Sequence, residues 1–293
     1  MAAKANFIRV RREVVRFLKK RYPLDWTSAI FIVSLLVFWG LTYYFMNVMA
    51  NVASYRSSLV TQQQALPDLG FEVIPHVKEL WLTDFFDALM FAPTAIMVAL
   101  FRPRPNYILV KGIMSSAICN LFRITTMAIT SLPDPREGCE FVLGDFWSTF
   151  QLHRCGDCIF SGHTIIFVLC TMVWVSQAPR NFIGFVGVFF AVSVCVAGSI
   201  VVLANRAHYT VDVLLAWYIG VSVWFTVSRF WDGQIVRRGL FPTINFPDPE
   251  LRNNGKATHL VYMSEKVTKE GSDDIIMSQL ASPRSNYSPV AVV

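Results

Sequence analysis

Two short stretches of this chain hold residue types that can do chemistry together. They are Cys155-Gly156-Asp157-Cys158-Ile159-Phe160-Ser161-Gly162-His163-Thr164 and His208-Tyr209-Thr210-Val211-Asp212. Each places a histidine at the mouth of a long apolar segment. His208 is followed at i+4 by Asp212, expected one helical turn away on the same face. An imidazole backed by a carboxylate is held in one tautomer and serves as a nucleophile or general base. The second imidazole, His163, is suited to protonate a leaving group.

Ser161-Gly162-His163-Thr164 is expected to open a helix. A helix start exposes free N–H groups and partial positive charge, which suits phosphate. Gly162 permits close backbone approach, and Ser161 can cap the helix or touch an oxygen. A capped helix with an incidental histidine is the plainer alternative. The second histidine and its carboxylate, at the same membrane face, favour a site, because ionisable groups at a membrane edge are costly to keep. Arg123 is the other costly residue. Its guanidinium fork matches two phosphate oxygens. A structural pairing with Asp84 or Asp87 is the alternative.

The elements that must position these residues are apolar. Of the 293 residues, 54% are hydrophobic and 16% charged, against about 25% charged in soluble domains. Thr27 to Met49 and Asn181 to Asn205 carry no charge, and Gly112 to Leu132 carries only Arg123. A helix that crosses a bilayer needs about 20 residues. Ala88 to Phe101, Thr164 to Ala178 and Val213 to Ser228 reach that length with their flanks. The expectation is an all-α membrane protein of six transmembrane helices, with cytosolic N- and C-termini. Residues 1–26 form a basic cytosolic leader, 27–232 the six-helix catalytic domain, and 233–293 a largely disordered cytosolic tail.

Orientation follows from the basic residues of the short loops. The leader, the loop with Arg102, Arg104 and Lys111, and the segment with Arg229, Arg237 and Arg238 are basic. Residues 51–84 and 133–160 are acidic by comparison and read as lumenal loops. His163, His208 and Asp212 therefore share the lumenal or exterior face. The net charge of +6 reflects this asymmetry and argues against nucleic-acid binding. Cys139, Cys155 and Cys158 lie on the oxidising side, where two of them can pair. One CxxC without a second pair does not make a zinc site.

These residues carry a resemblance. Cys-Gly-Asp-x3-Ser-Gly-His-Thr followed by His-Tyr-Thr-x-Asp resembles the sphingomyelin synthase and inositol phosphorylceramide synthase family, a six-span branch of the lipid phosphate phosphatase superfamily. Leu66-Pro67-Asp68-Leu69-Gly70-Phe71 is similar to that family's first lumenal-loop motif. Arg123-Ile124-Thr125-Thr126-Met127 with Thr130-Ser131-Leu132-Pro133 is similar to its third-span motif. The plain phosphatases have Pro where Phe160 stands, and Ser-Arg where Val201 and Val202 stand. Both departures match the transferase branch.

The resemblance implies transfer of a phosphoryl headgroup from a glycerophospholipid to ceramide. His208 would be the nucleophile, Asp212 its partner and His163 the acid and base, with no metal or cofactor needed. Arg123, Asp157, Ser161 and Gly162 would bind substrate. Phosphatidylcholine is the favoured donor, with phosphatidylinositol or phosphatidylethanolamine as alternatives. Phe146, Trp147, Glu140, Asp145 and Asp157 are available to a cationic headgroup. Beyond transfer, a lipid phosphate hydrolase and a non-catalytic transporter or scaffold are the competing classes. A Golgi membrane is the expected location, with the endoplasmic reticulum and plasma membrane as alternatives. Homo-oligomer formation stays open.

Overall fold

The structure, a computed structural model, describes residue 13 and residues 25–59, 65–102, 105–136, 139–151, 154–156 and 159–236. Contacts divide the chain into residues 1–245 and 246–293. The second unit lies outside the described residues, as do nearly all of the leader and the tail.

The described residues are helical, with no strand. Seven helices follow in order: α1 Trp26–Ser58, α2 Leu69–Val73, α3 Trp81–Ile96, α4 Pro105–Ile129, α5 Gly162–Gln177, α6 Phe182–Ala204 and α7 Thr210–Phe230. α1, α4, α6 and α7, and α3 together with the π-helical turn that continues it to Phe101, are long and apolar enough to cross a membrane. α5 is apolar but has only 16 residues. Their outward faces carry bare apolar side chains such as Val33, Phe182 and Phe189. Without water-soluble cover, such faces belong against lipid.

α1 runs further than its uncharged stretch. Its 33 residues extend for about 50 Å against an apolar bilayer core of about 30 Å. The extension explains why residues 51–58 are helix and not loop. Its far end presents Asn47, Asn51, Ser54 and Ser57, all buried. Asn47 Nδ2 donates to Thr149 O at 2.9 Å and Asn51 Nδ2 to Phe146 O at 2.7 Å. Ser54 Oγ accepts from Val142 N–H at 3.0 Å, and Ser57 Oγ donates to Leu132 O at 3.2 Å. Arg154, also buried, reaches the side chains of Asn47 and Asn51. A polar stripe on one helix thus satisfies the irregular backbone of the second loop, which burial otherwise penalises.

Pro93 does not end α3. The helix passes through it, although Pro cannot donate to the carbonyl one turn back, and continues into a π-helical turn, Met97–Phe101. α3 also begins earlier than the apolar run, at Trp81, and so brings Asp84 and Asp87 onto a helix. α5 is the helix around which the bundle packs. Ile165, Phe167, Val168, Leu169, Met172 and Val173 are all buried in the main apolar core. α3, α4, α6 and α7 all pack against it, so it is short and apolar on nearly every side.

The second loop is closed by a disulfide between Cys139 and Cys155. Cys158 lies outside the described residues. Beside the disulfide, the buried Asp134 carboxylate accepts from Arg136 Nη2 at 2.8 Å and from Gly156 N–H at 2.7 Å. Gly156 has φ 77° and lies against Ser54 and Ser57 of α1, where a side chain has no room. These ties fix the strand of chain that enters α5.

Candidate active site

α5 starts as its sequence requires. Ser161 is the N-cap, and its Oγ accepts from Thr164 N–H at 3.3 Å and from Thr164 Oγ1 at 3.0 Å. The residue before it, Phe160, is fully buried with φ 61°. Proline is locked near −65° and cannot adopt this backbone. A left-handed non-glycine residue costs about 1–3 kcal/mol and persists only where the surroundings hold it. Burial of the ring supplies that hold.

His208 lies in the turn between α6 and α7, not on α7. α6 ends in a Schellman turn: Ala207 N–H donates to Val202 O at 3.2 Å and Arg206 N–H to Leu203 O at 3.0 Å, with Arg206 at φ 56°. Asp212 occupies the first turn of α7 and accepts from Tyr209 N–H at 2.9 Å. The expected helix-face pairing of His208 and Asp212 is therefore corrected in origin. They meet because Asp212 folds back to cap its own helix. His208 Nδ1 and Asp212 Oδ2 are 4.0 Å apart, longer than a hydrogen bond. Such contacts commonly tighten only when substrate is bound.

The two motifs come together. The rings of His163 and His208 have centroids 6.5 Å apart. Ser161 N–H donates to the Asp212 carbonyl at 3.5 Å, a direct main-chain link between the α5 and α7 starts. His208 is 4% exposed and Asp212 2%. Arg123, on α4, lies with its guanidinium where a Gly162 β-carbon would project. Burial pushes the His208 imidazole well below its usual range, helped by the nearby Arg123 charge and then by His163. His208 is thus neutral at neutral pH, the form that has a lone pair to attack with. Asp157 lies outside the described residues.

With two imidazoles, a guanidinium and a helix start converging, the arrangement fits a phosphoryl group held between nucleophile and acid. Residues 154–229 match the family described as PAP2 superfamily C-terminal. The chain is 26% identical over 222 residues to phosphatidylcholine:ceramide cholinephosphotransferase 1 of Caenorhabditis elegans, covering 59% of this chain and 46% of that protein. It is 28% identical over 174 residues to phosphatidylethanolamine:ceramide ethanolaminephosphotransferase of Trypanosoma brucei brucei, covering 54% and 53%. It is 28% identical over 140 residues to phosphatidylinositol:ceramide inositolphosphotransferase 3 of Arabidopsis thaliana, covering 47% of each.

This chain is a homologue of ceramide phosphotransferases. It spans about half the length of these relatives. The family match encloses both histidines and Asp212 but not Arg123.

Two further groups stand at the candidate site. His163 Nε2 stands 3.8 Å from Asp87 Oδ2 and 3.9 Å from Asp84 Oδ1. Sequence alone offers one of these aspartates as an alternative partner for Arg123; the fold sets both beside His163. An i, i+3 pair of acids at the start of an apolar helix is the signal that could have found them. Phe146 and Trp147, considered for a cationic headgroup, are tied to α1. Phe146 lies against Tyr55, and Trp147 O accepts from Tyr44.

Proposed function

We propose that this protein transfers a phosphoryl headgroup from a glycerophospholipid to ceramide. The reading rests on the two imidazoles, 6.5 Å apart beside the starts of adjoining helices, with Arg123 against Gly162 at one of those starts. His208, its Nδ1 toward Asp212, attacks phosphorus through Nε2. The phosphorus–oxygen bond to diacylglycerol breaks, and His163 gives that oxygen a proton. The headgroup phosphate is then carried on His208. The primary hydroxyl of ceramide attacks in turn, gives its proton to His163, and the phosphorus–nitrogen bond breaks. Arg123 and the N–H groups at the α5 start hold the charge on the phosphoryl oxygens. Ser161, Gly162 and Asp157 complete the substrate-binding set.

Phosphatidylcholine is the proposed donor. Asp84, its side chain 51% exposed beside His163, puts negative charge near the proposed phosphoryl site, which favours a cationic amine over a neutral inositol. In the same reading α5 serves as a sixth span, both termini are cytosolic, and the site faces the lumen of a Golgi membrane. The charge bias of the loops and the Cys139–Cys155 disulfide support that orientation.

The test is direct. Purified protein in mixed micelles receives labelled ceramide with phosphatidylcholine, phosphatidylethanolamine or phosphatidylinositol. Labelled sphingophospholipid is expected, most from phosphatidylcholine, and none from His208→Ala. No product from any donor overturns the transferase reading. Release of free phosphate from lipid phosphates instead would establish a hydrolase.

A further inference from the structure

The turn that carries His208 is gripped at three points by residues 66–74 of the first loop. The Asp68 carboxylate accepts from three donors. Oδ1 takes Phe71 N–H at 3.1 Å, which caps α2, and Thr210 Oγ1 at 2.6 Å; Oδ2 takes Thr210 N–H at 2.8 Å, one of the open donors at the α7 start. Thr210 Oγ1 in turn accepts from Gly70 N–H at 3.2 Å. A β-carbon at Gly70 would overlap that hydroxyl, so only glycine fits here.

On the other side of His208, Arg206 Nη2 donates to Phe71 O at 2.8 Å and Ile74 O at 3.1 Å, and its guanidinium covers the Phe71 ring at 4.2 Å. These bonds hold Arg206 in the left-handed backbone that the Schellman turn needs. Tyr209, next to the histidine, stacks on Phe71 with centroids 5.4 Å apart. Its hydroxyl accepts from Leu66 N–H at 3.2 Å and donates to Pro133 O at 2.8 Å, which joins both loops to the turn. Residues 206, 209 and 210 are thus each anchored to residues 66–74, and His208 sits among them with no hydrogen bond to its Nδ1 among the described residues.

From this geometry we infer that residues 66–74 are a positioning clamp for the nucleophile, with Asp68 its central positioning residue. One carboxylate caps α2 and α7 at once and sets where the His208 imidazole points. In this inference the loop acts through the turn. The catalytic part of this inference rests on the proposed role of His208, but the clamp itself has a readout apart from activity.

The experiment compares Asp68→Ala, Asp68→Asn, Thr210→Val and Thr210→Ser in the full chain. Each is checked for a cooperative thermal transition well above the assay temperature, then assayed for transfer and for diethyl pyrocarbonate modification of His208, read by peptide mass spectrometry. Asp68→Ala and Thr210→Val are expected to lower kcat by up to about 100-fold, as a misplaced group does, with KM for both lipids unchanged. His208 modification is expected to speed up about five- to tenfold as the cap loosens. Thr210→Ser and, in part, Asp68→Asn keep the bonds and are expected to restore both. Wild-type modification rates in Asp68→Ala, or loss in Thr210→Ser equal to that in Thr210→Val, would overturn the clamp. Absence of transfer by the wild type, with the modification rates behaving as expected, would sink the transferase reading and leave the clamp standing.

Discussion

The guanidinium of Arg123 on α4 occupies the space that a side chain at Gly162 would fill. One residue thereby admits the other to the start of α5. Gly162→Ala is expected to push the guanidinium away from the helix start. Arg123→Ala removes it outright. Loss of one such charge-stabilising donor costs about 10²–10³ in kcat, and both variants are expected to fall in that range in the micelle assay. Arg123→Lys keeps the charge but loses the planar fork and is expected to recover only part of the rate. Wild-type kcat in Gly162→Ala would show that Arg123 does not act where it lies.

His208 predicts a pH dependence of stability. Its imidazole is held below the usual range by burial first, then by Arg123 and His163. The unfolded chain therefore takes up this proton at a higher pH, near 6.5, than the folded one does. Stability is complete above about 6.5 and falls as acid protonates the unfolded state. Thermal midpoints measured from pH 8 to pH 5 should decline on the acid side, and His208→Gln should decline less. Equal slopes would remove His208 as the cause.

The Cys139–Cys155 bridge closes 16 residues of sequence separation. Bridging a loop of about that length stabilises by about 3 kcal/mol. Cys139→Ser or Cys155→Ser is expected to lower the thermal midpoint, and reductant should lower the wild type toward them while leaving the variants unmoved. Maleimide mass tagging of non-reduced protein reports the bridge itself.

Asp134 anchors the same loop. Burial raises its carboxyl, but hydrogen bonds and charge from Arg136, with the amides of Arg136 and Gly156, outweigh that and hold it below the usual range. Its stabilisation is present above the unfolded value, about 3.9, and is lost as pH falls through the folded value. At neutral pH Asp134→Ala leaves Arg136, its side chain 11% exposed, without this ion-pair partner and is expected to cost up to about 3 kcal/mol. The readout is the denaturation midpoint. A change within 0.5 kcal/mol, roughly the surface norm, would show the pair to be dispensable.

Asp84 and Asp87 flank His163 at 3.9 and 3.8 Å, but their side chains differ in exposure, 51% against 21%. The less exposed carboxyl competes less with water for its contact with His163. Asp87→Asn is therefore expected to lower kcat more than Asp84→Asn, by roughly tenfold against twofold, given that general acid–base catalysis is worth about 10²–10⁴ in all. The order is checked by assaying both variants with phosphatidylcholine and phosphatidylinositol. A reversed order would assign the contact that matters to Asp84.

Much of this molecule is legible in its residues taken in order. Uncharged runs must be helices in lipid because backbone groups there have no water to bond, and five of the expected spans are present as long apolar helices. Ser161 as a cap follows from local chemistry, and the fold has it; at Gly162 the space that a side chain would fill is taken by Arg123. His208 and Asp212 were legible as neighbours, though they meet through a capping turn and not along a helix face. What the order of residues could not decide depends on contacts between distant segments. Asp87 and His163 are brought together only by the packing of α3 against α5. Asp68 reaches Thr210 only because the first loop folds over the α6–α7 turn. Periodicity and caps are properties of a few consecutive residues, so sequence alone carries them. The partner of a carboxylate is set by which helices pack, and that is decided by the whole apolar core at once.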